Sequence, residues 1–414
     1  MIYIKPETES KVKAILKSGL MAAQQQHWLE VGNCLQQLPQ KKNSLGKSEF
    51  VLDRKNWQTA FALVLEMLFE ADFQHKWAVV KIFPLLGDKI IHRLNEMVLD
   101  ETVDAEVRWF ICQVIGNFPQ HSVVITLVQL LQQTTDSELI EIAGKTLSKI
   151  GDNAVEALTG LVCKPEHSLL AVKSLSYIRT GATVAPLISI ASHEDAELRA
   201  IAVDALGSFR DRRITPILIA ALKDSASIVR KKATIALGFR RDLCQEINLV
   251  EELQPLLYDL NLEICRQAAI SLGRMHSETA TTALYEVLQA DTTPASLKSD
   301  LIKALGWSQI SSGIDRLEQA LDNASESIVQ EIITALGRIT VEELKPQSVG
   351  VLMEFWQQQQ PFSASIRQTF ATALGELGDR SASSILEQLA TDSDRKVKLH
   401  AVSAIKKLSS NSDQ

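Results

Sequence analysis

This chain has little of what catalytic and metal sites are usually built from. No P-loop, GxSxG or HExxH sequence occurs in its 414 residues, so the familiar nucleotide, serine-hydrolase and zinc-protease signatures are missing. Five cysteines, Cys34, Cys112, Cys163, Cys244 and Cys265, are scattered without a CxxC pair. That pattern argues against a disulfide framework or a zinc site and fits reduced thiols in the cytoplasm. His27 and Cys34 fall on one expected helix, but two ligands make an incomplete site for zinc or an iron–sulfur cluster. No catalytic residue, metal or cofactor is therefore assigned. The start, Met1 to Glu7, lacks the apolar segment of a secretory signal. The most apolar stretch, Ala60 to Phe69, is interrupted by Glu66 and is too short to be a transmembrane segment. A net charge of −7 gives no global attraction to nucleic acid or anionic lipid. Aromatic residues are only 5% of the chain, and strand-like alternation is missing.

What the chain does have is a recurring phrase. Ala-Leu-Gly, preceded by an aliphatic-Arg pair in its fuller copies, ends at Gly207, Gly238, Gly306, Gly337 and Gly375, with Ser-Leu-Gly at Gly273. Consecutive copies are 31, 35, 33, 31 and 38 residues apart, the period of a solenoid. In Leu198 to Gly207, the residues Leu198, Ala202, Ala205 and Leu206 form one apolar stripe at helical spacing. Gly207 matches a left-handed helix terminator, and Thr215-Pro216 reads as the cap and first turn of the next helix. Each unit is thus a pair of antiparallel helices, A then B. Asp224 lies in the turn before the next B helix and Arg230 at its start, which suggests ion pairs running from repeat to repeat. Weaker copies at Val107, Leu139, Leu169 and Val397, and a degenerate one at His75, bring the B helices to roughly eleven. The expected fold is all-α, a right-handed α-solenoid of HEAT-like helical pairs. Residues 1–54 read as an N-terminal cap of two helices, about 7–22 and 24–38, followed by a polar loop from Gln40 to Ser48; residues 55–414 form the solenoid. The 38-residue step containing Trp356 and Gln357 to Gln360 reads as a surface insertion or a recognition loop.

The V-R-x-x-A-A-x-A-L-G phrase with a following Gly-Asp, fullest at Leu374 to Asp379 and Leu147 to Asp152, resembles the HEAT-like repeats of the phycobilisome lyase type over most of residues 55–410. Ankyrin and TPR repeats are disfavoured by the lack of T-P-L-H and W-LG-Y phrases. The resemblance implies a photosynthetic bacterium and either a bilin lyase or an assembly factor. Phe73-Gln74-His75-Lys76-Trp77 and Arg108-Trp109-Phe110 look like segments of the HEAT-repeat partner of IscA-type iron–sulfur scaffolds. An iron–sulfur carrier or a phycobiliprotein is then the implied client.

In such stacks the B helices line the concave face, with the third, fourth and seventh phrase positions projecting into the groove. Read in order, these positions are aromatic and apolar in the early repeats, with Trp77, Trp109, Phe110, Ile142 and Leu170 beside Lys81, Lys145 and Lys173. An apolar strip rimmed by cations is the composition of a binding anchor, although Trp77 and Trp109 could equally complete a core. From Arg199 to Arg241, ten cations face three anions, and Lys231, Lys232, Arg240 and Arg241 exceed what an internal ladder needs. This basic patch is either a solvated face or a dock for an acidic partner; the stretch lacks the aromatic interleaving of a nucleic-acid site. The expected function is a non-catalytic protein-protein interaction scaffold or assembly factor that holds a client in its groove. The alternative is a bilin lyase, or a chaperone subunit for bilin or phycobiliprotein, for which no nucleophile can be assigned.

Overall fold

The computed structural model describes residues 6–43, 46–244, 247–322, 324–359 and 361–410. Met1 to Lys5 and Gln360, which entered the expectations above, lie outside them. The chain forms two compact units, Met1–Ser192 and His193–Gln414. Both are stacks of helical pairs, and the described residues hold 24 α-helices. No helix among them is long and apolar enough to cross a membrane.

The first unit opens with helices Pro6–Gln24 and Trp28–Gln36, which lean on the first repeat through Gly19 against Leu63 and Gly32 against Ala78. The polar segment that follows is not loop throughout; Ser44 and Leu45 within it lie outside the described residues. Gln40–Lys42 and Ser48–Phe50 pair as an antiparallel hairpin, with Lys41 opposite Glu49, and Phe50 is buried beneath it. Four B helices follow in this unit: Phe73–Ile82, Ala105–Ile115, Ser137–Ile150 and Pro165–Tyr177. The second unit has seven more, from Ala196–Leu206 to Arg395–Ser410. Aspartates start several of them: Asp72, Asp104, Asp136 and Asp195 each accept hydrogen bonds from backbone N–H groups of the first turn.

The glycine of the recurring phrase has a different role from the one its position suggests. Gly207 is right-handed, with φ −56° and ψ −21°, and Gly238, Gly273 and Gly337 are the last residues of their helices. Left-handed glycines do end B helices, but they belong to the Gly-Asp steps, at Gly151 and Gly378. The phrase glycine makes room for the next B helix. A Cβ placed on Gly207 would lie 2.6 Å from the Ala236 Cβ, on Gly337 2.6 Å from the Ala373 Cβ, and on Gly375 2.5 Å from the Ala404 Cβ. In every case the facing residue is the eighth of the next phrase, and Gly116 meets Thr146 by the same rule. In the copy that carries Ser148 instead, the hydroxyl donates to the carbonyl of Ser174, again the eighth position.

The A helix after Gly207 begins at Ile214 on an Arg213 cap, so Thr215 is inside the helix and does not cap it. The long 38-residue step comes from a longer A helix, Lys345–Gln358, and the turn that follows it. Trp356 is buried there, its ring 5.0 Å from that of Phe370 and 5.4 Å from that of Phe362. Trp356 is core packing between neighbouring helices, while Gln357 to Gln359 are exposed at the helix end.

Gly337→Ala adds a Cβ where the facing backbone leaves no space. Overpacking should cost about 1–3 kcal/mol, more than the roughly 1 kcal/mol that Ala gains over Gly within a helix. Gly160→Ala, on a helix with nothing within 4 Å of the added carbon, should instead stabilise by up to about 1 kcal/mol. Urea unfolding of both variants checks this opposition of sign.

Candidate protein-interaction site

Two consecutive B helices of the first unit bring four aromatic rings together. Asp72 starts the helix Phe73–Ile82, and the i, i+4 spacing puts Phe73 and Trp77 on one face, their ring centroids 6.3 Å apart. The next B helix supplies Trp109 and Phe110. Trp77 meets Trp109 at 5.7 Å and Phe110 at 5.5 Å, Phe73 meets Phe110 at 5.4 Å, and all of these contacts are edge-on. An ion pair ties the same two helices, with the ammonium of the buried Lys76 donating to the exposed Glu106 at 2.6 Å.

Exposure divides the cluster. Phe110 is fully buried, whereas Phe73 is 53% and Trp77 40% exposed and Trp109 is half-buried. The strip expected from the sequence is corrected accordingly. Phe110 and Ile142 do not face the groove; both are core. The fourth phrase position follows the first by three residues and precedes the eighth by four, so it borders the apolar stripe, and an apolar side chain there turns inward. Leu170 is half-buried above Gly144. Phe73 lies two residues before the phrase begins, so aligning phrase positions misses it; its spacing from Trp77 is the signal that could have found it. Lys81, Lys145 and Lys173 are exposed. Lys145 pairs with Glu141 on its own helix, while Lys81 and Lys173 make no ion pair among the described residues.

In the second unit the basic stretch is largely neutralised from within. Lys231 reaches Glu263 at 3.2 Å and Lys232 reaches Asp204 at 3.1 Å, each across to a neighbouring B helix. Arg266 continues the series to Asp300 at 3.1 Å. Arg240 is buried and grips Asp242 at 2.9 Å. Of the four residues of the expected patch, only Arg241 is exposed without an ion pair among the described residues. The patch is thus mostly an internal network along and beside the B helices.

The arginine in second phrase position works as a clamp between successive turns. Arg199 donates through Nε and Nη2 to both oxygens of Asp224, each at 2.8 Å, and through Nη1 to the carbonyls of His193 and Glu194. Arg230 repeats this on Asp259 and on the carbonyls of Asp224 and Ser225, and Arg367 on Asp392 and the carbonyl of Phe362. Each aspartate also accepts a backbone N–H from its own turn. The arginine hydrogen bonds, ahead of the backbone ones, hold all three carboxyls below the usual aspartate range. At the same position in the next repeat, Cys265 donates its thiol to the Asp259 carbonyl. Burial pushes the Cys112 thiol up to about 12, so it behaves as a small apolar group. Among the described residues no three of His, Cys, Asp and Glu converge as metal ligands.

Comparison with known proteins agrees with this architecture. Residues 163–238 and 184–252 match the model for HEAT repeats. The chain is 29% identical over 154 residues, 36% of its length, to an uncharacterized phycocyanin operon protein Z of Pseudanabaena tenuis (strain PCC 7409), of which the match covers 75%. Among solved structures, it superposes on a chain of a Kap95:Nup1 complex with a TM-score of 0.59 at 11% identity, covering 84% of this chain and 55% of that one. It aligns on importin beta with a TM-score of 0.51 at 12% identity, covering 97% of this chain and 65% of that one. The fold is an all-α solenoid of helical pairs, with HEAT repeats matched over residues 163–252, and the chain is similar to a protein of a phycocyanin operon.

Arg230→Met should cost about 3 kcal/mol, because it leaves the buried Asp259 carboxylate without its partner. Lys232→Met, which breaks a half-exposed pair, should cost no more than about 1 kcal/mol. The clamp aspartates titrate lower folded than unfolded, so their stabilisation is complete above about pH 4 and is lost as pH falls through the folded values. Arg230→Met should therefore flatten the acid side of the stability curve, as denaturant melts between about pH 6 and about pH 3 would register.

Proposed function

We propose that this HEAT-repeat chain is a non-catalytic scaffold that docks a client protein on the Phe73, Trp77 and Trp109 rings of its first unit, with residues 1–54 as the terminal cap. The observation that carries this reading is the divided exposure of the cluster. Phe110 is locked in the core, and the rings packed on it stay partly open to solvent. Aromatic side chains fixed from below lose little entropy when a partner covers them, the usual character of an interfacial hot spot. Lys81 and Lys173, free of ion pairs among the described residues, favour an acidic rim on the client.

The phycocyanin operon relative supports a phycobiliprotein, ahead of an iron–sulfur carrier, as the client in a cytoplasmic assembly step. The same relative favours a second reading, a lyase-type or chaperone subunit handling bilin itself.

Affinity purification of the tagged chain from its native host identifies the client. Trp77→Ala should then weaken binding by about 2 kcal/mol, roughly thirtyfold in Kd, while the thermal melt stays within a few degrees of wild type. Phe110→Ala should instead destabilise the fold by about 3–5 kcal/mol. Unaltered client affinity in Trp77→Ala would remove the cluster from the interface. Mixing the pure protein with phycocyanobilin separates the two readings: the scaffold leaves the bilin spectrum unchanged, whereas a shifted spectrum with transfer to an apo-phycobiliprotein establishes the second.

A further inference from the structure

The second unit holds an open cleft of about 800 Å³ whose walls are cationic and whose floor is aliphatic. It lies between the A helix Ile214–Ala221 and the turn Arg241–Cys244, and shares no residue with the aromatic cluster. Among the described residues, Arg210, Arg212, Lys223 and Arg240 line it against one carboxylate, that of Asp242, while Ile219 and Leu243 belong to its apolar part. Asp242 is already engaged. Arg240 donates to it through Nε and Nη2 at 3.0 and 2.9 Å and Arg210 at 2.5 Å, and these bonds hold its carboxyl at about 2. Arg240 itself is fixed in place, with 7% of its side chain exposed. Arg212 is exposed and makes no ion pair among the described residues. Lys223 has only a long contact of 3.4 Å to Glu252, with 73% of its side chain exposed.

The positive excess of this stretch is therefore cancelled along the B helices, where Lys231 and Lys232 are paired, and survives in the cleft. Among the described residues no aromatic ring lines the cleft to stack a base, which disfavours nucleic acid. The aliphatic floor exceeds what a small inorganic anion would use. A ligand that satisfies both surfaces carries negative charge on either side of an aliphatic group.

We propose that this cleft binds an acidic peptide segment in which carboxylates flank an aliphatic side chain, the side chain seated on Ile219 and Leu243 and the carboxylates on Arg212 and Lys223. The site is independent of the aromatic dock and stands or falls separately from it. Burying one side chain supplies affinity, and the unpaired Arg212 with the loosely paired Lys223 supplies orientation and a salt-sensitive association rate.

Calorimetric titration of the full chain with the peptide acetyl-Glu-Asp-Leu-Asp-Glu-amide tests this. Saturable binding is expected, weakened at least tenfold by Arg212→Glu or by Lys223→Glu, and weakened on raising the salt from about 50 to about 300 mM. Lys396→Glu, an exposed charge outside the cleft, should leave binding as in wild type. The same peptide with Ser in place of Leu should bind at least fivefold more weakly, and its Gln/Asn counterpart should not bind. Arg212 has no ion pair to lose, so thermal melts of Arg212→Glu should match wild type and keep the test interpretable if Lys223→Glu is less stable. The proposal is overturned by the absence of saturable binding, by binding indifferent to both substitutions, by equal affinity for the Ser peptide, or by a single-stranded oligonucleotide that competes more tightly than the peptide.

Discussion

The structure depends on how closely one B helix approaches the next. Where the glycine at position ten of one phrase meets the small residue at position eight of the following one, a single methyl group would overlap its neighbour in most copies. Backbone approach at that distance leaves room for nothing else, so the contact fixes the sliding of each helix along its neighbour. The aliphatic stripes on either side can then interdigitate in one register, and dispersion between close-packed side chains does the rest. The same rule operates at Gly116 against Thr146 in the first unit and at Gly375 against Ala404 near the end of the second, although the intervening sequence has diverged widely.

Charge follows from this geometry. Once register is fixed, the second phrase position reaches the turn of the next repeat, and an arginine there satisfies a carboxylate and two carbonyls at once. A guanidinium suits this because its planar fork can serve an acid and a backbone turn together, which a lysine ammonium does less well. Lysines and glutamates farther round the helix pair across repeats at half-exposed positions and add little stability. They do determine which cations remain available. A stretch with seven excess positive charges presents few of them on its B helices and keeps its surplus beside the A helix Ile214–Ala221.

The aromatic cluster shows how a candidate site can be partly legible. Trp77 and Trp109 were placed at partner-facing positions by counting along the phrase, and they are partly open to solvent and in contact with each other. Phe110 and Ile142 were placed there by the same count and are buried. The fourth position borders the core stripe, and its direction depends on whether its side chain is apolar, as at Phe110, or long and charged, as at Lys232. Phe73 escaped because it precedes the phrase. The left-handed glycine expected at Gly207 was found instead at Gly378, because a helix end and a close helix contact favour the same residue for different reasons.

Periodicity alone determined the class of fold, the roughly eleven B helices, the paired A helices and the arginine–aspartate link between turns. All of these are local or nearest-neighbour properties, which a repeating sequence writes out many times over. Only the tertiary structure decided that the phrase glycine is a spacer, that residues 40–50 contain a hairpin, that Trp356 is core, and that Lys231 and Lys232 are already paired. Each of those depends on which atoms of one repeat come to lie against the next. Spacing along a chain states the direction of a side chain only to within a helical turn, whereas burial and pairing are settled over a few ångströms.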